Sequence, residues 1–131
     1  MKNSSFSTFD HVSQGAALHL FQDCIDPIIL TDLLGIIVKA NRRTFEFLGF
    51  SSDELNGNNI AGLYKPGQIL PDFSSLPDGS LQVFDGIMPA KQGQEYLHVQ
   101  VHATRYALDG RDIVQWIHHD ITRQVKLDKM R

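Results

Sequence analysis

The sequence predicts an α+β domain, an antiparallel sheet with short helices set between its hairpins. Three observations carry this. Residues 96–122, YLHVQVHATRYALDGRDIVQWIHHDIT, form two alternating runs joined by Asp109-Gly110, the strongest short-range hairpin signal because a type I′ turn needs positive φ at both central residues. Residues 27–41, PIILTDLLGIIVKAN, read as a second, shorter hairpin. Between the two lie consecutive helix start and stop signals over residues 41–61.

A chain of 131 residues fits one domain, long enough for a real core. The net charge is −3 and the basic residues are scattered, which argues against a nucleic-acid stripe or a polybasic membrane anchor. No apolar run approaches the roughly 20 residues of a transmembrane helix, and no signal-peptide pattern opens the chain. Cys24 is the single cysteine, so there is no internal disulfide and no cysteine metal cluster. A reducing, cytoplasmic setting is expected.

Residues 1–9 are polar and Ser-rich, and are expected to fray. Residues 10–24 read as a flanking helix, with Asp10 as cap and Val12, Ala16, Leu20 and Cys24 at helical spacing. This stripe needs a surface, either the outer face of the sheet or a second copy of the chain. Asp26-Pro27 breaks the helix. Ile28–Leu30 then form a short buried strand, Thr31–Gly35 the turn and Ile36–Ala40 the return strand. Asn41 stands at the N-cap of a helix over residues 42–48, which Gly49 closes. Ser51 and Glu54 form a capping box for another turn through Leu55. Residues 58–61 can start a third short helix. Residues 64–80 are rich in Pro, Gly and Ser and read as a loop with one helical turn near Gln68–Leu70. A strand over Leu81–Pro89, a turn at Lys91-Gln92-Gly93 and the long hairpin follow. Residues 123–131 look like the start of an exit helix.

The two-residue turn sets the register of the long hairpin. Leu108 faces Arg111, Tyr106 faces Ile113, Ala103 faces Trp116 and Val101 faces His118. One face then carries Leu97, Val99, Val101, Ala103 and Arg105 with Val114, Trp116 and His118. The other carries His98, Gln100, His102 and Thr104 with Ile113, Gln115, Ile117, His119 and Ile121. A slip of one residue would exchange the two faces. The second strand is apolar on both sides, so its outer side also needs cover.

Four landmarks in this order resemble the PAS domain, a ligand-sensing and signal-relay module. They are DPIILTDLLGIIVKAN, a helix ending F-L-G-F, then S-S-D-E-L-N-G, and VQVHATRYALDG followed by H-D-I-T-R. The resemblance covers roughly residues 20–123, with the domain proper at 25–122. It implies a five-stranded antiparallel sheet of order 2-1-5-4-3, with short helices on one face that enclose a pocket. It implies that Asn41 caps the first pocket helix. It implies that Asp120 and Thr122 tie the last strand to an output helix; a strand end followed by an N-cap Thr is an equally good and compatible reading. The candidate pocket residues are Trp116, His118, Val101, Ala103 and Arg105 on the sheet and Phe45 on the first pocket helix.

Each cofactor of the family can be checked against its motif. Blue-light flavin domains carry a reactive Cys in an N-C-R-F-L-Q run, whereas the matching region here is I-A-G-L-Y-K and Cys24 lies before the first strand. Covalent flavin is therefore not expected. Haem-binding members generally use a His in the middle helical segment, and residues 42–95 contain none, which argues against the usual haem ligation. Non-covalent flavin and small metabolites stay open. Trp116 and His118 can stack on and hydrogen-bond an aromatic ligand, although a large core Trp and a satisfied core His are the plainer reading. Arg105 is a candidate contact for an organic acid, against the habit of strand-end Arg side chains to reach water. His98, His102 and His119 share the outer face, where a solvated polar surface is favoured over a metal site or a protonation switch.

The expected function is a non-enzymatic sensory domain of a multi-domain regulator, such as a histidine kinase, a cyclic-dinucleotide enzyme or a transcription regulator. It would form a homodimer through its N-terminal helix and outer sheet face and pass its signal to a C-terminal output domain. The alternative is a ligand-free interaction module whose pocket is filled by Trp116, Phe84, Phe45 and Phe47. A Cys–His nucleophile built on Cys24 is the weakest reading, since no motif places a base beside it.

Overall fold

A computed structural model describes residues 18–90 and 95–130 of the chain. The expected frayed N-terminus, most of the 10–24 helix and the Lys91-Gln92-Gly93 turn lie outside them. Five strands form one antiparallel sheet of order β2-β1-β5-β4-β3, where β1 is Ile28–Thr31, β2 Ile37–Ala40, β3 Leu81–Pro89, β4 Tyr96–Leu108 and β5 Arg111–Asp120. Helix α1 is described over residues 18–23. Helices α2 (Arg42–Leu48) and α3 (Ser52–Leu55), with 3₁₀ turns at Ile60–Leu63 and Phe73–Ser75, follow β2. Helix α4 (Thr122–Lys129) leaves the last strand.

Asp109 and Gly110 have φ of 51° and 75°, as a type I′ turn demands. The register that this turn sets runs the length of the hairpin: Leu108 pairs with Arg111, Ala103 with Trp116 and Val101 with His118. The inner face therefore presents Val99, Val101, Ala103, Val114, Trp116 and His118, all buried. The short hairpin docks on β5 through Ile29 opposite Trp116, and the β1–β2 pairing shifts between Leu30 and Thr31.

The short helices start and stop where side chains satisfy their free backbone groups. Asn41 accepts the Thr44 N–H, and Gly49 closes α2 with φ 84°. Ser51 and Glu54 form the reciprocal capping box of α3. Asn59 caps the Ile60–Leu63 turn. The helical turn expected near Gln68–Leu70 lies instead at Phe73–Ser75. The cause is Asp72, whose carboxylate accepts from the Ser74 N–H and so nucleates the turn after it.

Leu48, Leu55, Ile60, Leu63, Tyr64 and Phe73 from these segments pack on the inner face as one core. On the outer face, Ile28 and Ile113 are buried and Ile117 is half-buried. The described part of α1 lies against this face, where Leu18 and Phe21 bound an apolar crevice with Leu30, Tyr106, Leu108 and Gln115.

Candidate functional site

The inner-face site is assembled from two distant parts of the chain. β5 supplies Trp116 and His118, two positions apart and so on one side of the strand. The irregular 64–80 segment supplies Tyr64 and Phe73.

His118 is 1% exposed. Its Nε2 lies 2.7 Å from the Tyr64 hydroxyl, and its Nδ1 lies 3.4 Å from the Pro27 carbonyl. A carbonyl only accepts, so Nδ1 carries the proton and Nε2 accepts from Tyr64. Burial pushes the His118 pKa down to about 4, against smaller upward effects of hydrogen bonds to Pro27 and Trp116 and the charge of Asp26. The imidazole is neutral. Burial also raises the pKa of Tyr64, which keeps its proton. The two rings stack with centroids 5.9 Å apart. Gly86 makes room for Tyr64: a Cβ there would lie 3.0 Å from Tyr64 Cε1.

The Trp116 indole donates to Thr31 Oγ1 at 2.8 Å, and Thr31 in turn donates to the Asp32 carbonyl. Phe73 meets the indole edge-on at 5.6 Å, and Phe84 does so at 6.2 Å. Val101 and Ala103 are fully buried beneath these rings. Arg105 Nη1 donates to the carbonyls of Phe73, at 2.9 Å, and Leu76. Its Nη2 lies 3.5 Å from Asp112. Arg105 therefore neither reaches freely into water nor points at open space; it holds the 73–76 turn to the sheet. Phe45 is half-buried at the margin of the core, as is Phe47.

Of the expected pocket residues, the structure brings Trp116, His118, Val101, Ala103 and Arg105 onto one face, with Phe45 at its edge. Tyr64 and Phe73, which complete the cluster, lie in the segment without periodicity. Their only sequence signal is that each is a large aromatic in a stretch otherwise rich in Pro, Gly and Ser.

Asn41 is fully buried and uses its whole amide. Its Oδ1 accepts from the Ile28 N–H, the Thr44 N–H and the Thr44 hydroxyl. Its Nδ2 donates to the carbonyls of Phe21 and Asp26. One side chain thus joins α1, β1 and α2.

At the other end of β5, the Asp120 carboxylate accepts the Thr122 N–H at 2.9 Å. Thr122 Oγ1 accepts the His98 N–H at 3.0 Å and lies 3.4 Å from the His98 carbonyl, which also accepts the Ile121 N–H. Thr122 is the first residue of α4 and not its N-cap; that position is Ile121, whose side chain offers no oxygen. The Thr122 hydroxyl is used to fasten the helix start to β4. Lys126 pairs with Glu95 one turn further on.

On the outer face, His102 lies 3.2 Å from Gln100 and His119 lies 3.5 Å from Asp26. Among the described residues no three His, Cys, Asp or Glu side chains are grouped closely enough to hold a metal ion. Cys24 is half-buried in the link between α1 and β1. Among the described residues no helix is long and apolar enough to cross a membrane.

A five-stranded antiparallel sheet of order 2-1-5-4-3, with short capped helices on one face and a helix after the last strand, defines a small α+β module. The chain belongs to the PAS domain family, whose model matches residues 25–123. Solved structures share its fold. The PAS domain of an HTR-like protein from Haloarcula marismortui is 24% identical, with a TM-score of 0.75 over 91% of this chain and 100% of that one. A PAS domain from a two-component sensor histidine kinase is 13% identical, with a TM-score of 0.69 over 85% of this chain and 98% of that one. The PAS domain of nitrogen regulation protein NR(II) from Vibrio parahaemolyticus is 12% identical, with a TM-score of 0.63 over 79% and 95%. No curated protein matches the chain. PAS domains are sensory and regulatory modules, and this chain is one of that class.

Proposed function

We propose that this PAS domain senses a small ligand at the inner-face cluster and relays its binding through β5 to α4. The observation that carries the reading is the continuity of one strand. β5 holds Trp116 and His118 in the core and, two residues beyond His118, holds Asp120, which bonds the first residue of α4. A ligand that displaces the rings around Trp116 shifts β5, and the shift reaches the junction of Asp120, Thr122 and His98. Such a relay works only if the ligand prefers one of two states of that junction.

The output is a C-terminal domain in a longer regulator, such as a histidine kinase, a cyclic-dinucleotide enzyme or a transcription regulator. Pairing with a second copy through α1 and the outer face, where Leu18 and Leu108 are exposed, belongs to the same proposal. The test is a fusion of the domain to an output domain. Asp120→Ala is expected to abolish the response while the melting temperature of the domain stays within a few degrees. An Asp120→Ala fusion that responds normally rules the relay out.

A second reading is a ligand-free interaction module. It is favoured by the packing of Phe73, Phe84 and Tyr64 around Trp116 and His118, which fills the inner face. No released small molecule and no thermal shift across a metabolite panel would support it.

A further inference from the structure

We propose that the turn around Phe73 occupies a binding site for aromatic carboxylates and stands in for a ligand of that class. The inference rests on the sensing role proposed above and names its ligand chemistry. Phe73 offers Trp116 a ring, edge-on at 5.6 Å. The same turn offers Arg105 two oxygens, the carbonyls of Phe73 and Leu76, both on Nη1. A terminal guanidinium nitrogen has two N–H groups, and here both are taken by carbonyl oxygens. An arene against Trp116 and an oxygen acceptor on the Arg105 cation are the two groups that a phenyl ring joined to a carboxylate by a short linker carries, the carboxylate taking one of the two Nη1 positions.

Three further features fit displacement of this turn. The segment that carries it is held by few buried side chains; Phe73 and Tyr64 are its large buried residues, and Leu70 and Leu76 are only half-buried. A crevice of about 330 Å³ already reaches Trp116 beside it, walled by Leu33, Ile60, Leu70, Pro71 and the acidic Asp72. Arg105 Nε is buried with no partner among the described residues, so the guanidinium has donor capacity that the turn does not use. The carbonyls offer the guanidinium only dipoles, whereas a carboxylate on Nη1 offers a full opposite charge and forms an ion pair in a site largely shielded from water. Two carboxylates bear on the exchange. Asp112 remains on Nη2, where it is half-exposed. Asp72 is bonded to Ser74 and leaves with the turn. Signal generation follows directly, because the ligand releases the 73–76 turn from β4 and moves the ring packed against Trp116 of β5.

Trp116 is the only tryptophan, so its fluorescence reports on this site alone. Phenylacetate, benzyl alcohol and phenethylamine share the ring and differ in charge. Titrated into the wild-type protein, phenylacetate is expected to shift the Trp116 emission and raise the melting temperature, with an affinity at least about tenfold above the other two. Phe73→Leu, which leaves the ring niche partly vacant, is expected to bind phenylacetate several-fold more tightly. Arg105→Gln is expected to bring the three probes to equal affinity. Should either variant fail to fold, the wild-type ranking decides alone. No Trp116 response to phenylacetate, or an equal response to all three probes, overturns the proposal. The Asp120→Ala fusion is read separately, so a wrong ligand class and a wrong relay give different results.

Discussion

The Tyr64 hydroxyl donates to His118 Nε2 at 2.7 Å across 54 positions of sequence, with both groups sealed from water. This pair makes the fold sensitive to acid. The folded-state pKa of His118 is pushed down to about 4 from 6.5. The unfolded chain therefore binds a proton that the folded chain refuses. The contribution of neutral His118 is complete above pH 6.5 and is lost as the pH falls toward about 4. At 1.36 kcal/mol per pH unit the loss is about 3 kcal/mol. Urea midpoints measured across this window should fall in the wild type and much less in His118→Gln. Equal slopes in both proteins would assign the acid sensitivity to other groups.

Tyr64→Phe keeps the ring and removes the donor. His118 Nε2 is then a buried acceptor without a partner, which costs about 1–3 kcal/mol. The predicted sign is destabilisation at neutral pH. A Tyr64→Phe protein as stable as the wild type would mean that water replaces the lost hydroxyl.

Asn41→Asp is nearly isosteric, yet it should be among the most damaging single changes. The Nδ2 that donates to Phe21 and Asp26 becomes an oxygen facing two carbonyl oxygens. Losing two buried donors and adding a buried charge should cost more than about 3 kcal/mol. Asn41→Ala should cost less, since it leaves unpaired groups but no charge. Denaturant unfolding of the two variants checks the order. Hydrogen exchange at the Ile28 amide, whose acceptor is Asn41, should accelerate in both.

What could be read in the sequence, and what could not, follows from the range of each interaction. The Asp109-Gly110 turn is local, and because side chains alternate strictly along a strand, it sets every pairing from Leu108 with Arg111 down to Val99 with Asp120. The caps at Asn41, Ser51 and Asn59 are local as well. Tyr64 and Phe73 are different. They sit in an aperiodic segment, and what places them is a partner on β5, far along the chain. The sequence leaves Arg105 open between water and ligand, because its acceptors, the carbonyls of Phe73 and Leu76, are backbone groups that no residue type announces. Thr122 has the residue type of an N-cap, but its hydroxyl is drawn to His98, near the start of β4, by the preceding strand.

Gly86 tests how tightly the Tyr64 niche is built. Its added Cβ would lie 3.0 Å from Tyr64 Cε1 and 3.4 Å from Val99 Cγ2. Tyr64 is packed between β3 and His118, so a shift of its ring away from the new Cβ acts on its bond to His118. Gly86→Ala should destabilise by about 1–3 kcal/mol, the usual cost of overpacking. A double-mutant cycle with Tyr64→Phe should show the two changes to be non-additive, because both act on the same hydrogen bond. Strict additivity would show that Gly86 strains the backbone of β3 instead.

Thr122→Val separates docking of the exit helix from stability of the core. The change keeps the β-branched shape and removes the hydroxyl that bonds His98. Loss of a hydrogen bond of this kind is worth about 1 kcal/mol, so opening of the first turn of α4 should become roughly fivefold more frequent. The Val125 amide, bonded to the Ile121 carbonyl, is the natural reporter by hydrogen exchange. Val99, Val101 and Ala103 lie in the same strand as His98 but deep in the core, and their amides should keep wild-type protection. If they lose protection in step with Val125, α4 and the sheet unfold as one unit. Thr122 is then part of the core's stability, and the junction cannot move independently of the sensing face.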